Sequence, residues 1–177
     1  MRRKQTRLLT GIEGFSLIEI VLVLVLIGIM AGVLIPTLEL GVKSYTASET
    51  RVDLASQARQ AATRMIRELR NVQKEANNTP NITAADATSI TFVDVLDNTI
   101  TFSLSSGTVQ RNSNPLVAVS TLQFRYFSGN NTELTSLPLS AANRDNVRRI
   151  MVTLTLTETS QTVSVIEQVF LRELSGL

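Results

Sequence analysis

Residues 15–38 decide how this chain is organised, and they read FSLIEIVLVLVLIGIMAGVLIPTL. From Ile20 to Ile35 every residue is apolar or glycine. A helix needs about 20 such residues to cross a hydrocarbon core of about 30 Å, so residues 15–38 predict a membrane-inserted helix. An ordinary secretory signal peptide is the alternative. It would place a small-residue cleavage site after the apolar run, and PTLEL at residues 36–40 offers none.

The positive charge of the chain is confined to its first residues. The 177 residues carry 17 Lys and Arg against 15 Asp and Glu, a net charge of +2. Residues 1–14, MRRKQTRLLTGIEG, hold four of the bases and one of the acids, so the remainder has a net charge of −1. This placement is typical of the cytoplasmic flank of a membrane helix or of a targeting leader. It gives no support to a nucleic-acid partner, and we do not expect one.

Composition excludes several classes of enzyme. The chain has no Cys and no His, so it has no disulfide, no thiolate metal site and no Ser–His–Asp or Cys–His catalytic set. We find no phosphate-binding glycine loop and no catalytic pair of carboxylates. The sequence therefore predicts a protein that is not an enzyme and carries no cofactor.

Two groups of polar residues are candidates for calcium binding. They are Asp94, Asp97 and Asn98, and Asn130, Asn131, Glu133 and Asp145. Neither group has the spacing of a dedicated calcium loop. Because turns use the same residue types for hydrogen bonding, we interpret both groups as turns and predict no metal site.

Glu19 is the one charged residue within the apolar segment. Placing an ionised carboxylate at this depth in the bilayer costs about 2–3 kcal/mol or more of free energy. We therefore expect Glu19 to have a charged partner or a function. No Lys or Arg within one helical turn can pair with it. Cleavage between Gly14 and Phe15 would create an α-amine at Phe15, which could pair with Glu19 of a neighbouring chain or of the same chain.

The sequence Gly14-Phe15-Ser16-Leu17-Ile18-Glu19 follows a short basic leader and precedes a hydrophobic helix. In this combination it closely resembles the signature of type IV prepilins and pseudopilins, over residues 1–40. The resemblance implies that a prepilin peptidase cuts between Gly14 and Phe15 and methylates the new amine of Phe15. It also implies that Glu19 acts in assembly and that Pro36 kinks the helix.

The resemblance also implies a location and a set of partners. Residues 1–14 would be a leader in the cytoplasm, and residues 15–38 a single-pass inner-membrane helix that later forms the filament core. The globular domain would lie in the periplasm or outside the cell, and the final location would be a pilus or pseudopilus. The implied partners are the prepilin peptidase, other pilin or pseudopilin subunits, the inner-membrane assembly platform and the lipid bilayer.

Residues 39–76 predict an amphipathic helix that packs on a globular domain. Apolar residues follow a helical period, at Leu54, Ala58, Ala61, Met65, Leu69 and Val72. The sequence NNTP at residues 77–80 should end the helix. The four arginines Arg59, Arg64, Arg67 and Arg70 lie along this segment. We interpret them as a solvated face, with Arg64 paired to Glu68, in preference to a phosphate-binding stripe.

Residues 77–177 change to the period-two pattern of β-strands. The predicted strands are 89–95, 99–104, 108–111, 116–127, 149–156 and 162–171, with a hairpin turn at Asp97-Asn98 and a loop at 132–147. We expect about five strands in one antiparallel sheet. A long helix on a small antiparallel sheet is an α+β fold, and it is also the pilin architecture.

The sequence thus predicts a structural subunit of a type IV pilus or a type II secretion pseudopilus. Residues 56–71, SQARQAATRMIRELRN, with the strands that follow, resemble minor subunits of the J-type pseudopilin or PilW-like kind. The absence of Trp departs from many J-type domains, and the absence of Cys departs from many major pilins.

Two alternatives stay open from sequence alone. The first is a filament-borne receptor for DNA uptake, for which Arg144, Arg148 and Arg149 are candidate contacts. A protective role at a strand edge is the simpler interpretation of these three arginines. The second is a membrane-anchored domain that never polymerises.

Overall fold

A computed structural model describes residues 14–171. Its longest element is helix α1, Leu17–Leu69, which is followed by eight strands and one short helix. The strands are β1 Ile82–Ala85, β2 Ser89–Val93, β3 Thr99–Ser105, β4 Thr108–Arg111, β5 Asn114–Ala118, β6 Thr121–Ser128, β7 Val147–Glu158 and β8 Gln161–Phe170. Helix α2, Ala141–Asp145, lies between β6 and β7. The predicted α+β fold, one long N-terminal helix and antiparallel sheet, is confirmed.

The chain divides into two compact units at Thr46 and Ala47, within α1. In the first unit, the described residues from Leu17 onward are helical and almost entirely exposed. The second unit contains the rest of α1 together with all the described strands.

The strands form two antiparallel sheets, one with the order β1-β2-β3-β4-β5 and one with the order β6-β7-β8. Each sheet is a meander, because every strand pairs with its neighbour in sequence. Alternate residues of each strand point to the same face, and the apolar set of β2 and β3 is buried, with Ile90 opposite Phe102 and Phe92 opposite Ile100. The period-two pattern therefore places one face of the sheet in the core.

The core lies between the second half of α1 and the two sheets. The predicted helical stripe is confirmed at Leu54, Ala58, Ala61, Met65 and Leu69, which are all buried on α1. Val72 is buried too, but it lies beyond the end of the helix. The first sheet contributes Phe92 and Phe102, and the second contributes Phe124 and Leu154. Ala58 is completely buried, and its small side chain lets the helix approach the sheets closely.

The predicted end of the amphipathic helix at residue 76 is wrong, because α1 ends at Leu69. The chain beyond it pairs with the first sheet instead. The Gln73 amide donates to the carbonyl of Val93 at 2.8 Å, and the Val95 amide donates to that of Asn71 at 3.0 Å. These bonds satisfy backbone groups that would otherwise continue the helix, so the tertiary partner ends it.

The prediction of about five strands in one sheet is also wrong, because residues 14–171 form eight strands in two sheets. The predicted strand 116–127 is two strands, β5 and β6, which belong to different sheets. At the break, the Val119 amide donates to Gly107 at 2.8 Å, and the next amide, of Ser120, donates to Thr155 at 2.8 Å. Strand β1 was not predicted.

The turn prediction is confirmed, and the loop prediction holds in part. The Asp97-Asn98 hairpin is confirmed, with the Asp94 amide donating to the Asn98 carbonyl at 3.0 Å. Asp97 has a positive φ of 63°, which Asp tolerates in tight turns. The predicted loop at 132–147 is interrupted by α2, whose first turn is capped by Ser140.

Candidate functional site

The N-terminal part of α1 presents a continuous apolar surface. Phe15 is 76% exposed, and every large apolar side chain from Leu17 to Val42 is also exposed. Among the described residues, α1 is the one helix long and apolar enough to cross a membrane, and none of its most apolar window is buried. A single apolar helix near the N-terminus is consistent with a single-pass membrane anchor.

Glu19 lies in the first turn of α1. Its amide donates to the carbonyl of Ser16 at 3.1 Å and lies 3.3 Å from the Ser16 hydroxyl, so Ser16 caps the start of the helix. The unpaired amides of a first turn favour a negative charge there, which suits a carboxylate at this position. Within residues 14–171, no Lys or Arg forms an ion pair with Glu19.

The bond between Gly14 and Phe15 lies just before the helix. Residues 14–16 are non-helical and exposed, and α1 begins two residues after Phe15. The bond therefore lies in an exposed, non-helical part of the chain. The predicted leader, residues 1–14, lies outside the described residues except for Gly14, and so does its basic charge.

Pro36 lies inside α1, and the helix continues through it. Proline has no amide hydrogen, so the carbonyl one turn before it, that of Gly32, loses its usual helical donor. Next to it, the Thr37 hydroxyl hydrogen-bonds to the carbonyls of Val33 at 3.3 Å and Leu34 at 2.8 Å. Side-chain hydrogen bonds thus supplement the backbone ladder at the proline.

The first candidate calcium group is a turn, as the sequence indicated. Asp94 Oδ1 accepts hydrogen bonds from the amides of Leu96 at 2.8 Å and Asn98 at 2.9 Å. These bonds lower the pKa of Asp94, the Asn98 amide having the largest effect. Asp97 instead accepts a hydrogen bond from Gln73 at 2.6 Å. The carboxylate oxygens of Asp94 and Asp97 are therefore engaged in hydrogen bonds at the hairpin.

The two carboxylates of the second group lie in different parts of the segment between β6 and β7. Glu133 binds Arg125 through both of its oxygens, whereas Asp145 lies at the end of α2. No cluster of three or more potential metal ligands of the Asp, Glu, His or Cys type occurs within the described range.

The three C-terminal arginines contact other groups of their own domain. Arg144 donates to the carbonyls of Ile82 and Leu139, each at 2.9 Å, and so ties α2 to β1. Arg148 donates to the carbonyl of Asp145 at 2.7 Å. Arg149 stacks over the ring of Phe127, 3.9 Å from its centroid. These contacts are structural and favour neither DNA nor a protein partner.

The arginines of α1 behave differently from one another. Arg64 pairs with Glu68 at 3.3 Å, as predicted, and Glu68 also accepts a hydrogen bond from Arg111 at 2.6 Å. Arg59, Arg64 and Arg67 line a groove of about 800 Å³ whose other wall is β5. Arg70 lies outside this groove.

The sequence does not predict this groove, because its second wall falls at the start of the predicted strand 116–127. The residues of that wall are Leu116, Val117 and Ala118, at the free edge of the first sheet. The available signal was NSNP at residues 112–115, in which Asn112 and Ser113 both have positive φ and form a turn.

Comparison with known proteins gives no assignment: no protein-family model matches this chain, and no curated protein matches it.

Proposed function

We propose that this chain is a prepilin-like structural subunit that is anchored in the inner membrane and assembled into a filament. A prepilin peptidase removes residues 1–14 and methylates the amine of Phe15. The filament is a type IV pilus or a type II secretion pseudopilus, in which the chain serves as a minor subunit. The mature protein acts by packing against other subunits, and it catalyses no reaction.

One observation carries the proposal: the first part of α1 exposes apolar side chains on every face. Residues such as Leu22, Leu24 and Met30 are each more than half exposed, and helical geometry places them on different sides of the helix. A helix that is apolar all round is stable only when lipid or other apolar helices surround it. A subunit that moves from the bilayer into a bundle of apolar helices from other subunits meets both conditions.

In this proposal, Glu19 provides the specific contact between neighbouring subunits. It has no cationic partner among residues 14–171, and cleavage at Gly14 would place a positive amine four residues before it. Both charges are costly in lipid when unpaired, so pairing between neighbouring chains would favour side-by-side packing of the helices.

The direct test is mass spectrometry of the protein purified from membranes of cells that have a prepilin peptidase. We expect the mature chain to begin at an N-methylated Phe15. A Gly14→Leu variant, which alters the residue on the leader side of the bond, is expected to stay uncut.

The processing part of the proposal would be overturned by an intact N-terminus starting at Met1. It would equally be overturned by cleavage after the apolar run, because that outcome is the behaviour of a secretory signal peptide.

A further inference from the structure

We propose that the groove between α1 and β5 is a docking site for an extended acidic segment of a partner protein. We call it the arginine groove, and it is formed by Arg59, Arg64 and Arg67 on one side and Leu116, Val117 and Ala118 on the other. It lies wholly within residues 47–171. The inference therefore goes beyond the proposed assembly role and does not depend on it.

The charge in the arginine groove is positive and uncompensated. Within the described part of the chain, Arg59 and Arg67 form no ion pair with any carboxylate. The neighbouring carboxylate, Glu68, is already engaged by Arg111 at 2.6 Å and by Arg64 at 3.3 Å. Two guanidinium groups thus remain available for carboxylates from outside.

The opposite wall offers backbone hydrogen bonds. Strand β5 pairs only with β4, so its outer edge has no strand neighbour among residues 14–171. Pro115 removes one amide donor from this edge, which leaves residues 116–118 as its usable part. Leu116 and Val117 are half-buried and provide an apolar surface beside the arginines. An exposed strand edge is a common site for adding a peptide strand.

The dimensions suit an extended peptide. Arg59 and Arg67 are eight residues apart on a helix, which corresponds to about 12 Å along its axis. In a strand, side chains four residues apart lie on one face about 13 Å apart. Two carboxylates at that spacing would meet Arg59 and Arg67, while the peptide backbone meets β5.

A nucleic acid fits less well. It has no backbone amides to complete a sheet edge, and the positive charge is local: from Tyr45 onward the chain has 12 bases and 12 acids. Polyanion binding depends on many phosphate contacts over a broad basic surface. An acidic polypeptide needs only the few groups that the arginine groove presents.

The test uses the full-length protein in non-ionic detergent and a fluorescein-labelled octapeptide of alternating Glu and Val. Fluorescence anisotropy should show binding of this peptide and none of its Lys–Val counterpart. The double variant R59Q/R67Q is expected to weaken binding about tenfold or more. The matched double variant R51Q/R70Q removes the same charge outside the groove, from α1 and from the turn that directly follows it, and should weaken binding by less than about threefold.

A second peptide tests the strand edge. With alternate amides N-methylated, the Glu–Val peptide keeps its charges but loses backbone donors, so its binding should also weaken about tenfold. The proposal is overturned if the Glu–Val peptide does not bind, if both double variants weaken it equally, or if N-methylation has no effect. It is also overturned if a single-stranded DNA 12-mer binds more tightly than the peptide and loses that binding in R59Q/R67Q.

Discussion

At the scale of single residues, the contact between Arg125 and Glu133 is the clearest ion pair of the domain. Arg125 Nε donates to Glu133 Oε1 at 2.6 Å, and a second guanidinium nitrogen donates to Oε2. This two-point contact joins β6 to the loop that follows it. The hydrogen bonds from Arg125 lower the pKa of the Glu133 carboxyl, and its positive charge acts in the same direction.

This lowered pKa predicts how stability depends on pH. The unfolded chain binds a proton at Glu133 more readily than the folded chain. The pair therefore stabilises the fold above the unfolded pKa of about 4.3, and its contribution is lost as pH falls through the lower folded value. We expect the wild-type protein to lose more stability between about pH 5 and pH 3 than a Glu133→Gln variant does.

Urea unfolding at a series of pH values measures this difference. Glu158→Gln is the matched control, since Glu158 is exposed and forms no ion pair with a described residue. It should retain the pH dependence of the wild type. Equal pH dependence in Glu133→Gln and the wild type would contradict the assigned role of the pair.

At the scale of elements, Tyr126 connects the two sheets. It is buried on β6, and its hydroxyl lies within hydrogen-bonding distance of the carbonyls of Asp86, at 2.9 Å, and Ser89, at 3.3 Å. Asp86 directly follows β1 and Ser89 is the first residue of β2, so the hydroxyl links the second sheet to the first. Burial raises the pKa of this phenol, so its hydroxyl stays a donor at every physiological pH.

Replacing Tyr126 with Phe should lower the free energy of unfolding by about 1–2 kcal/mol, because the part-buried carbonyl of Asp86 loses this donor. The chain offers a matched control in its other tyrosine, Tyr45, which is 72% exposed. Tyr45→Phe should change stability by less than about 0.5 kcal/mol. Chemical denaturation measures both, and equal effects would show that the buried hydroxyl adds nothing.

Local periodicity was enough to predict the long helix, its buried stripe and the Asp97-Asn98 hairpin. Helical and strand periods each place apolar residues on one face, whatever lies across from that face. The end of α1 was not predictable in this way. It depends on the carbonyl of Val93, which lies 20 residues further along the chain and accepts from Gln73.

The division between β5 and β6 could not be predicted for a related reason. No Gly, Pro, Asn or Asp marks a turn between Leu116 and Phe127, although the hydrogen-bond partners change from one sheet to the other at Val119 and Ser120. Phe15 and Glu19 could be singled out because their motif is contiguous. The arginine groove could not, because it requires α1 and an edge strand to lie side by side.

At the scale of the whole molecule, the proposed assembly predicts separate effects on insertion and on filament formation. Glu19→Ala should leave membrane insertion intact, because the apolar segment is unchanged. Its incorporation into filaments should fall by roughly tenfold or more, because the Phe15 amine loses its partner. Quantitative immunoblots of membrane and sheared-filament fractions measure the two steps.

Glu39→Ala is the matched control on the same helix. Glu39 already pairs with Lys43 at 2.6 Å, one turn away, and both side chains are well exposed. This variant should assemble like the wild type. Unchanged assembly of Glu19→Ala would refute the pairing, and failure of that variant to insert would refute the separation of the two steps.

The order of the elements along the chain also sets the order in which the ribosome synthesises them. The second half of α1 is synthesised first among the parts of its domain, yet its buried stripe packs against residues as late as Leu154 and Val169. The stretch from the end of α1 to the end of β8 takes a ribosome about 5–20 s to make. During this interval Met65 and Leu69 have no finished sheet to cover them. In a nascent chain anchored as proposed by residues 15–38, the amphipathic half of α1 therefore spends seconds without the sheets that bury its apolar stripe.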